Sequence, residues 1–296
     1  MKKTIALVLA LAAGVAAFGQ AVSFTDASGQ DIQLARPALR VVSLSPALTE
    51  ILYAAGAGPA MVAVTSYCNY PAAADKLPEI GGFSPNTINL EAIIALRPDL
   101  VVGEVAAHGR LAEGFAAAGL RFAAFDLTDF QDVYDAIGTL GRAAGNKKTA
   151  DALVKDMKAR VAVIEKKLAT VPADKRPSVF YEVWDEPLMT AGPRTFIGMV
   201  LAAGGARNIF EDVAEDWPMI SFEAIVTRQP DLIVASNTHG EALSADKLAA
   251  RPGWSTLAAV RERRIVLLDG DIVSRPGPRF VDAIELVAKA LYPDLF

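Results

Sequence analysis

One cysteine, Cys68, stands in 296 residues. A single thiol excludes an internal disulfide. Its plainest reading is a small, partly buried hydrophobe; its place between Tyr67 and Tyr70 leaves a ligating thiol open. Histidine is almost as scarce. His108 and His239 are each followed by glycine and fall in no metal-ligand spacing, so both read as solvated loop residues. No Gly-x-Ser-x-Gly elbow, P-loop or dinucleotide fingerprint is present, and no two carboxylates form a defensible acid–base pair. No catalytic residue, metal site or cofactor is therefore expected. Basic residues are outnumbered, 29 to 34, for a net charge of −5. That balance excludes the basic face that nucleic acid demands.

Long apolar runs are missing too, except at the start. Lys2 and Lys3, the run Thr4–Phe18 and the small residues Gly19–Ala21 read as a secretory signal over residues 1–20. The run is short for a membrane span, which needs about 20 apolar residues. No cysteine lies near its end, so no lipid anchor is expected. The expected location is free in the periplasm, where loss of Lys2 and Lys3 leaves 27 basic against 34 acidic residues, a net charge of −7.

The central feature is Asn146–Val171, NKKTADALVKDMKARVAVIEKKLATV, which holds no glycine or proline and lies between Gly145 and Pro172. Ala150, Leu153, Val154, Met157, Val161, Ile164 and Leu168 recur at spacings of three and four and share one face of a helix. Such a helix runs roughly 38 Å at about 1.5 Å per residue. An ordinary core helix is one reading. A linking helix over residues 145–172, between an N-terminal lobe (21–144) and a C-terminal lobe (173–296), is the reading that the flanking sequence favours.

Each flank alternates short strands with helices. Val22–Leu34 reads as a hairpin around Asp26-Ala27-Ser28-Gly29. Arg40–Leu44 reads as a strand, followed by a helix with Ser45 as N-cap and Pro46 in its first turn. Further strands fall at Met61–Val64, Leu100–Val102, Arg121–Phe125, Ser178–Val183, Leu232–Ala235 and Ile265–Leu268. Helices fall at Leu90–Leu96, Arg110–Ala118, Phe130–Ala143, Thr195–Ala203, Phe222–Arg228, Ser255–Val260 and Phe280–Leu291. This alternation means α/β lobes with mostly parallel sheets covered on both faces. The flanks also echo one another: LEAIIALRPDLVV from Leu90 and FEAIVTRQPDLIV from Phe222 align at a constant offset of 132 residues. Glu91 and Glu223, Pro98 and Pro230, and Asp99 and Asp231 correspond, as expected of two lobes built alike.

Loops at the carboxyl ends of strands form the ligand crevice of open α/β sheets. Large aromatics gather in such loops: Tyr67, Tyr70 and Phe83 before the long helix, Trp184 and Trp217 after it. Asp271, Ile272, Val273, Ser274 and Arg275 follow a strand as well. Their amides, with Arg275 and Arg279, are candidates to hold polar groups of a large ligand; a plain turn at Pro276-Gly277-Pro278 is the alternative. Glu91 and Glu223 near helix starts suit the helix dipole singly. Their equivalent placement suggests docking to two basic pockets of a symmetric partner.

RVVSLSPALTEILYAAG from Arg40, TSYCNYP from Thr65, GGFSPNTINLEAIIALRPDLVV from Gly81, DWPMISFEAIV from Asp216 and the long helix resemble the periplasmic solute-binding proteins of ABC importers for cobalamin, haem and ferric siderophores, with the vitamin B12-binding branch the best match. The resemblance covers nearly all the mature chain. It implies two Rossmann-like lobes joined by a single long helix, with the ligand cleft between the lobes and little closure. It implies no enzyme activity, a monomer, cobalamin or a related tetrapyrrole or iron complex as ligand, and an ABC permease dimer of the inner membrane as partner. By motif, Tyr67 faces the corrin ring with Phe83 on the same rim, and Trp217 presses from the other lobe. Asp271–Arg275 takes the place of the late ligand-contacting loop, though without the aromatic pattern of cobalamin binders. Glu91 and Glu223 match the acids that dock permease arginines. Haem, with Tyr67 as axial donor, and a ferric siderophore, with Arg275, Arg279 and Arg194 in the crevice, are the alternative ligands. A periplasmic chelatase-like enzyme is the alternative of a different class.

Overall fold

A computed structural model describes residues 20–236 and 244–296. Residues 1–19 of the expected signal segment and His239 lie outside the described residues. Strands β1 (Val22–Thr25) and β2 (Asp31–Leu34) form the expected antiparallel hairpin. The Asp26 carboxylate closes the turn, accepting from the backbone N–H of Ser28 and Gln30, both at 2.9 Å.

Strands β3 (Val41–Ser43), β4 (Met61–Ala63), β5 (Leu100–Glu104) and β6 (Phe122–Phe125) build the first sheet, all parallel, in the order β4-β3-β5-β6. The second lobe contributes β7 (Ser178–Glu182), a small antiparallel hairpin of β8 (Trp184–Asp185) and β9 (Leu188–Met189), then β10 (Arg207–Asn208), β11 (Leu232–Ser236) and β12 (Ile265–Leu268). Its parallel sheet has the order β10-β7-β11-β12. The two sheets share one winding: the first strand stands second, flanked by the second and third. Strands such as β3, β6 and β7 are buried throughout, as continuous apolar runs are when helices cover both faces.

The echoed segments fold alike, for a reason visible in the backbone. Helix Leu90–Leu96 starts at Asn89 and ends at Arg97 in left-handed conformation (φ 47°); helix Phe222–Arg228 starts at Ser221 and ends at Gln229 (φ 42°). Both caps accept from the N–H three residues on. Both end residues precede proline, which disfavours continuation of the right-handed helix. The next residue then staples a neighbouring strand start. Asp99 Oδ2 accepts from the N–H of Leu39 at 2.8 Å and Arg40 at 3.0 Å. Asp231 Oδ2 accepts from the N–H of Ser178 at 2.8 Å and its Oγ at 2.7 Å.

The long helix spans Lys147–Leu168, 22 residues, or roughly 33 Å. Ala150, Met157, Ile164 and Leu168 are buried, with Leu153, Val154 and Val161 half-buried beside them, the face read from the spacing. Its first half packs on helix Phe130–Ala143 of the first lobe. A Cβ at Gly141 would lie 2.2 Å from that of Ala150, so glycine sets that close approach. Its second half packs on the closing helix Phe280–Leu291, where Arg160 pairs with Asp282 and Glu285.

Beyond strut and sheets, the lobes share a core. One apolar cluster runs through helices Pro46–Ala54, Phe130–Ala143, the strut, Phe196–Ala203 and Phe280–Leu291, and so through both lobes. Phe130 stacks on Phe280 with centroids 4.4 Å apart, and Phe196 meets both edge-on. The opposite faces carry separate cores, around Phe180 in the second lobe and Phe115 in the first.

Candidate functional site

At the carboxyl ends of the strands lies a cleft of about 730 Å³. The first lobe lines it with Ser45 and Pro46 after β3, Ser66 and Tyr67 after β4, the segment Gly82-Phe83-Ser84 with Thr87, and Glu104 at the end of β5; the second lobe adds Asp271, Ser274, Arg275 and Pro276. Tyr67 is 58% exposed on the rim. Phe83 is held by its neighbours. Gly81 turns the chain at φ 110°, where a Cβ would sit 1.9 Å from the Thr87 carbonyl oxygen. His108 accepts the Glu104 backbone N–H on Nδ1 at 3.0 Å, pairs through Nε2 with the Phe83 carbonyl at 2.9 Å, and meets the Phe83 ring edge-on. The tautomer that satisfies both is neutral with the proton on Nε2. Burial pushes the imidazole below its ordinary value, against the pull of the Phe83 carbonyl. His108 is thus a wholly buried positioning residue, not the solvated loop residue expected.

Glu104 is the residue the sequence reading missed. The winding places β3 beside β5 while their following helices cover opposite faces, which makes the gap between these strand ends the switch point of the sheet. Ser45 follows one strand and Glu104 ends the other. The Ser45 hydroxyl donates to Glu104 Oε1. Burial pushes the Glu104 carboxyl up, and the Ser45 bond partly counters it. Strand order is the signal that would have found this pair.

Glu50 was missed as well. It lies on helix Pro46–Ala54 with its side chain 2% exposed, and receives Arg279 twice, at 2.8 and 2.6 Å, and Arg275 at 3.4 Å. Arg275 also pairs with Asp271 at 2.9 Å and donates to Asn69 Oδ1 at 2.7 Å. Arg279 lies 4.1 Å over the Tyr70 ring. Burial works against the Arg279 charge, and the Glu50 carboxylate, together with Tyr70 and Asp269, more than offsets it. A polar latch therefore closes the back of the cleft, binding the Tyr67–Tyr70 loop and helix Pro46–Ala54 to the second lobe. Arg194, the third crevice arginine expected, is bound to Asp216 and the Ala214 carbonyl.

The expected residues do not all converge. Residues 271–275 are only partly a loop: Asp271–Val273 belong to a short helix, Gly270–Val273, capped by Asp269, and Ser274 and Arg275 follow it in irregular backbone. On it Val273 is buried and Ile272 packs against the shared core, so neither lines the cleft. Trp184 and Trp217 lie outside its lining, 47% and 50% exposed on the second lobe. Trp184 sits on the β8–β9 hairpin, and Met189 of that hairpin bridges to Met219, two residues beyond Trp217. Cys68 is 3% exposed, with Sγ at 3.3 Å from Thr49 Oγ1 and 3.2 Å from Thr65 Oγ1. Burial pushes the thiol up, and this enclosure removes the ligating reading. Glu91 and Glu223 are exposed, at matching positions of their helices. Among the described residues no group of three or more His, Cys, Asp or Glu could hold a metal ion, so the chelatase reading finds no cluster there.

Two parallel-sheet lobes, fused through one helix and a shared core around a rimmed cleft, have the architecture of a bilobal solute-binding protein. The chain belongs to the periplasmic binding protein family, whose model matches residues 41–272. It is 35% identical over 280 residues to the uncharacterized ABC transporter substrate-binding lipoprotein YvrC of Bacillus subtilis, covering 93% of this chain and 87% of that one. Among solved structures it resembles the periplasmic vitamin B12 binding protein BtuF of Vibrio cholerae (TM-score 0.73, 28% identity, 87% of this chain and 98% of that one). It also resembles the periplasmic heme-binding protein RhuT of Roseiflexus (TM-score 0.76, 26% identity, 87% and 99%). No helix among the described residues is long and apolar enough to cross a membrane. YvrC is a lipoprotein by name, whereas the one cysteine here is the enclosed Cys68.

Proposed function

We propose that this chain is a non-enzymatic periplasmic protein that captures a corrinoid, vitamin B12 or a close relative, and delivers it to an ABC importer. The observation that carries this reading is the cleft of about 730 Å³ at the strand ends, lined from both lobes and rimmed by Tyr67 and Phe83. Tyr67 and Phe83 offer the macrocycle apolar faces. Asp271, Ser274 and Arg275 line the cleft from the second lobe. Trp184 and Trp217, exposed on the second lobe, contact the parts of the ligand that extend outside the cleft. The mature chain acts as a monomer, free in the periplasm. Glu91 and Glu223, exposed on twin helices, dock the two permease subunits.

Haem is the second reading, favoured by the exposure of the Tyr67 ring, whose hydroxyl could serve as an axial donor. The deciding experiment titrates the mature chain with cobalamin, haem and a ferric siderophore, following Trp184, Trp217 and Trp254 fluorescence. Saturable one-to-one quenching by cobalamin alone supports the corrinoid reading. A Soret shift abolished by Tyr67→Phe replaces it with haem. For docking, charge reversal at Glu91 and Glu223 together is expected to abolish uptake with ligand affinity unchanged; lost affinity would count against the docking role.

A further inference from the structure

Among the described residues lining the cleft, Arg275 is the one cation, and its charge is already answered inside the protein. Its guanidinium meets Asp271 Oδ1 at 2.9 Å, Glu50 Oε1 at 3.4 Å, Asn69 Oδ1 at 2.7 Å and the Tyr67 carbonyl oxygen at 3.3 Å. Those acceptors engage most of its donors. Arg279, behind it, grips both oxygens of Glu50. Two guanidiniums and two carboxylates thus form a quartet without net charge, and Glu50 is its enclosed member. The other acid lining the cleft is Glu104, held at the floor by the Ser45 hydroxyl.

We infer that the cleft selects ligands without net negative charge, bearing amides in place of carboxylates or catecholates, and that Glu50 sets this preference by neutralising Arg275 and Arg279. An entering anion would face Asp271 and Glu104 with no unengaged cation in the lining. An amide-bearing ligand suffers no such repulsion: its N–H can donate to Glu104, and its carbonyl can accept from the Ser66 hydroxyl. The inference rests on the cleft being the ligand site. It adds the rule by which that site sorts its ligands, and it assigns a role to a residue outside the lining.

The test measures equilibrium binding of cyanocobalamin, haemin and a ferric tris-catecholate to the wild type, Glu50→Gln and Asp271→Asn, at low and high salt. The wild type is expected to bind cyanocobalamin at least about tenfold more tightly than either anion. Each variant removes one negative charge from the quartet and should shift the preference toward the anions by about fivefold at low salt, less at high salt. Asp271 lies at the more exposed end of the quartet, so Asp271→Asn serves if thermal melting shows Glu50→Gln unfolded. An anion that binds the wild type as tightly as cyanocobalamin overturns the inference, as does a preference that no folded variant moves. Failure of the wild type to bind any of the three is a different result: it removes the proposed ligand classes, and this inference falls with them.

Discussion

In the first lobe the loop after β4 carries Tyr67, and the end of β5 carries Glu104, both lining the cleft. In the second lobe the segment after β7 folds into the β8–β9 hairpin and holds Trp184 away from that lining. The scaffolds nevertheless coincide in strand order, helix caps, left-handed helix ends and aspartate staples. The repeated part is what any parallel sheet needs to start its strands and end its helices. The unrepeated part is what a ligand with two dissimilar faces needs. On the proposed reading, ligand recognition falls where the repeat breaks, and Glu91 and Glu223 stand out as exposed side chains that the repeat preserves.

The sharpest contrast lies between the shared core and the private ones. Phe280, fully buried, belongs to the cluster that spans both lobes; Phe180, equally buried, belongs to the second lobe alone. Phe280→Ala and Phe180→Ala should each cost about 4 kcal/mol in denaturant unfolding. Hydrogen exchange should separate them: Phe280→Ala raises exchange in helix Phe130–Ala143 of the first lobe, whereas Phe180→Ala leaves that helix protected. Equal protection in both variants would mean that the lobes fold as independent bodies. Glu50→Ala comes next. It leaves Arg275 and Arg279 partly buried without their common carboxylate and should cost about 3 kcal/mol, read from the shift of the denaturation midpoint.

Smaller effects fall on ligand affinity. Tyr67 lines the cleft from the first lobe, and Trp217 is exposed on the second. If both touch one ligand, Tyr67→Ala and Trp217→Ala should each weaken binding by about 1.5 kcal/mol, within the range of interface aromatics, with melting temperature almost unchanged because both rings are half exposed or more. A loss confined to Tyr67→Ala would restrict the site to the cleft itself and leave Trp217 for another role.

Elements with strong local signals were legible from sequence. Phe222–Arg228, Ile265–Leu268 and Phe280–Leu291 appear with the bounds that caps, proline and apolar spacing indicate. The strut needed only its unbroken composition and periodicity. What could not be read depends on distant partners. The strands of the β8–β9 hairpin have two residues each, too few for an alternation to show. The helix Gly270–Val273 is four residues long, and its docking turns Val273 into a core shared with the other lobe. Glu50 gains its meaning from arginines 225 and 229 residues away. His108 looked solvated because nothing local announces that Phe83 will close over it. Tyr67 and Phe83 were visible as cleft residues because strand ends are predictable places; Glu104 required the strand order.

The aspartate staples allow the finest comparison of the lobes. Asp99 and Asp231 each receive two hydrogen bonds at a strand start. Bonds to a carboxylate are stronger than neutral ones, but partial exposure reduces their net value. Asp99→Ala and Asp231→Ala should therefore cost about the same at neutral pH, about 1 kcal/mol each. The Asp231 contribution should also depend on pH. Burial raises its carboxyl, but the hydrogen bonds from Ser178, with Arg264 and Arg207 nearby, outweigh that and hold it below the ordinary carboxylate range. A carboxylate lowered on folding stabilises fully above its unfolded value, about 3.9. That stability is lost as pH falls through the lower folded value. The gap between wild type and Asp231→Ala, from urea unfolding, should thus be constant near neutrality and shrink below about pH 4. A gap that stayed constant on acidification would show that Asp231 acts by packing instead of as a charged acceptor, and the equivalence drawn from the repeat would then hold for shape alone.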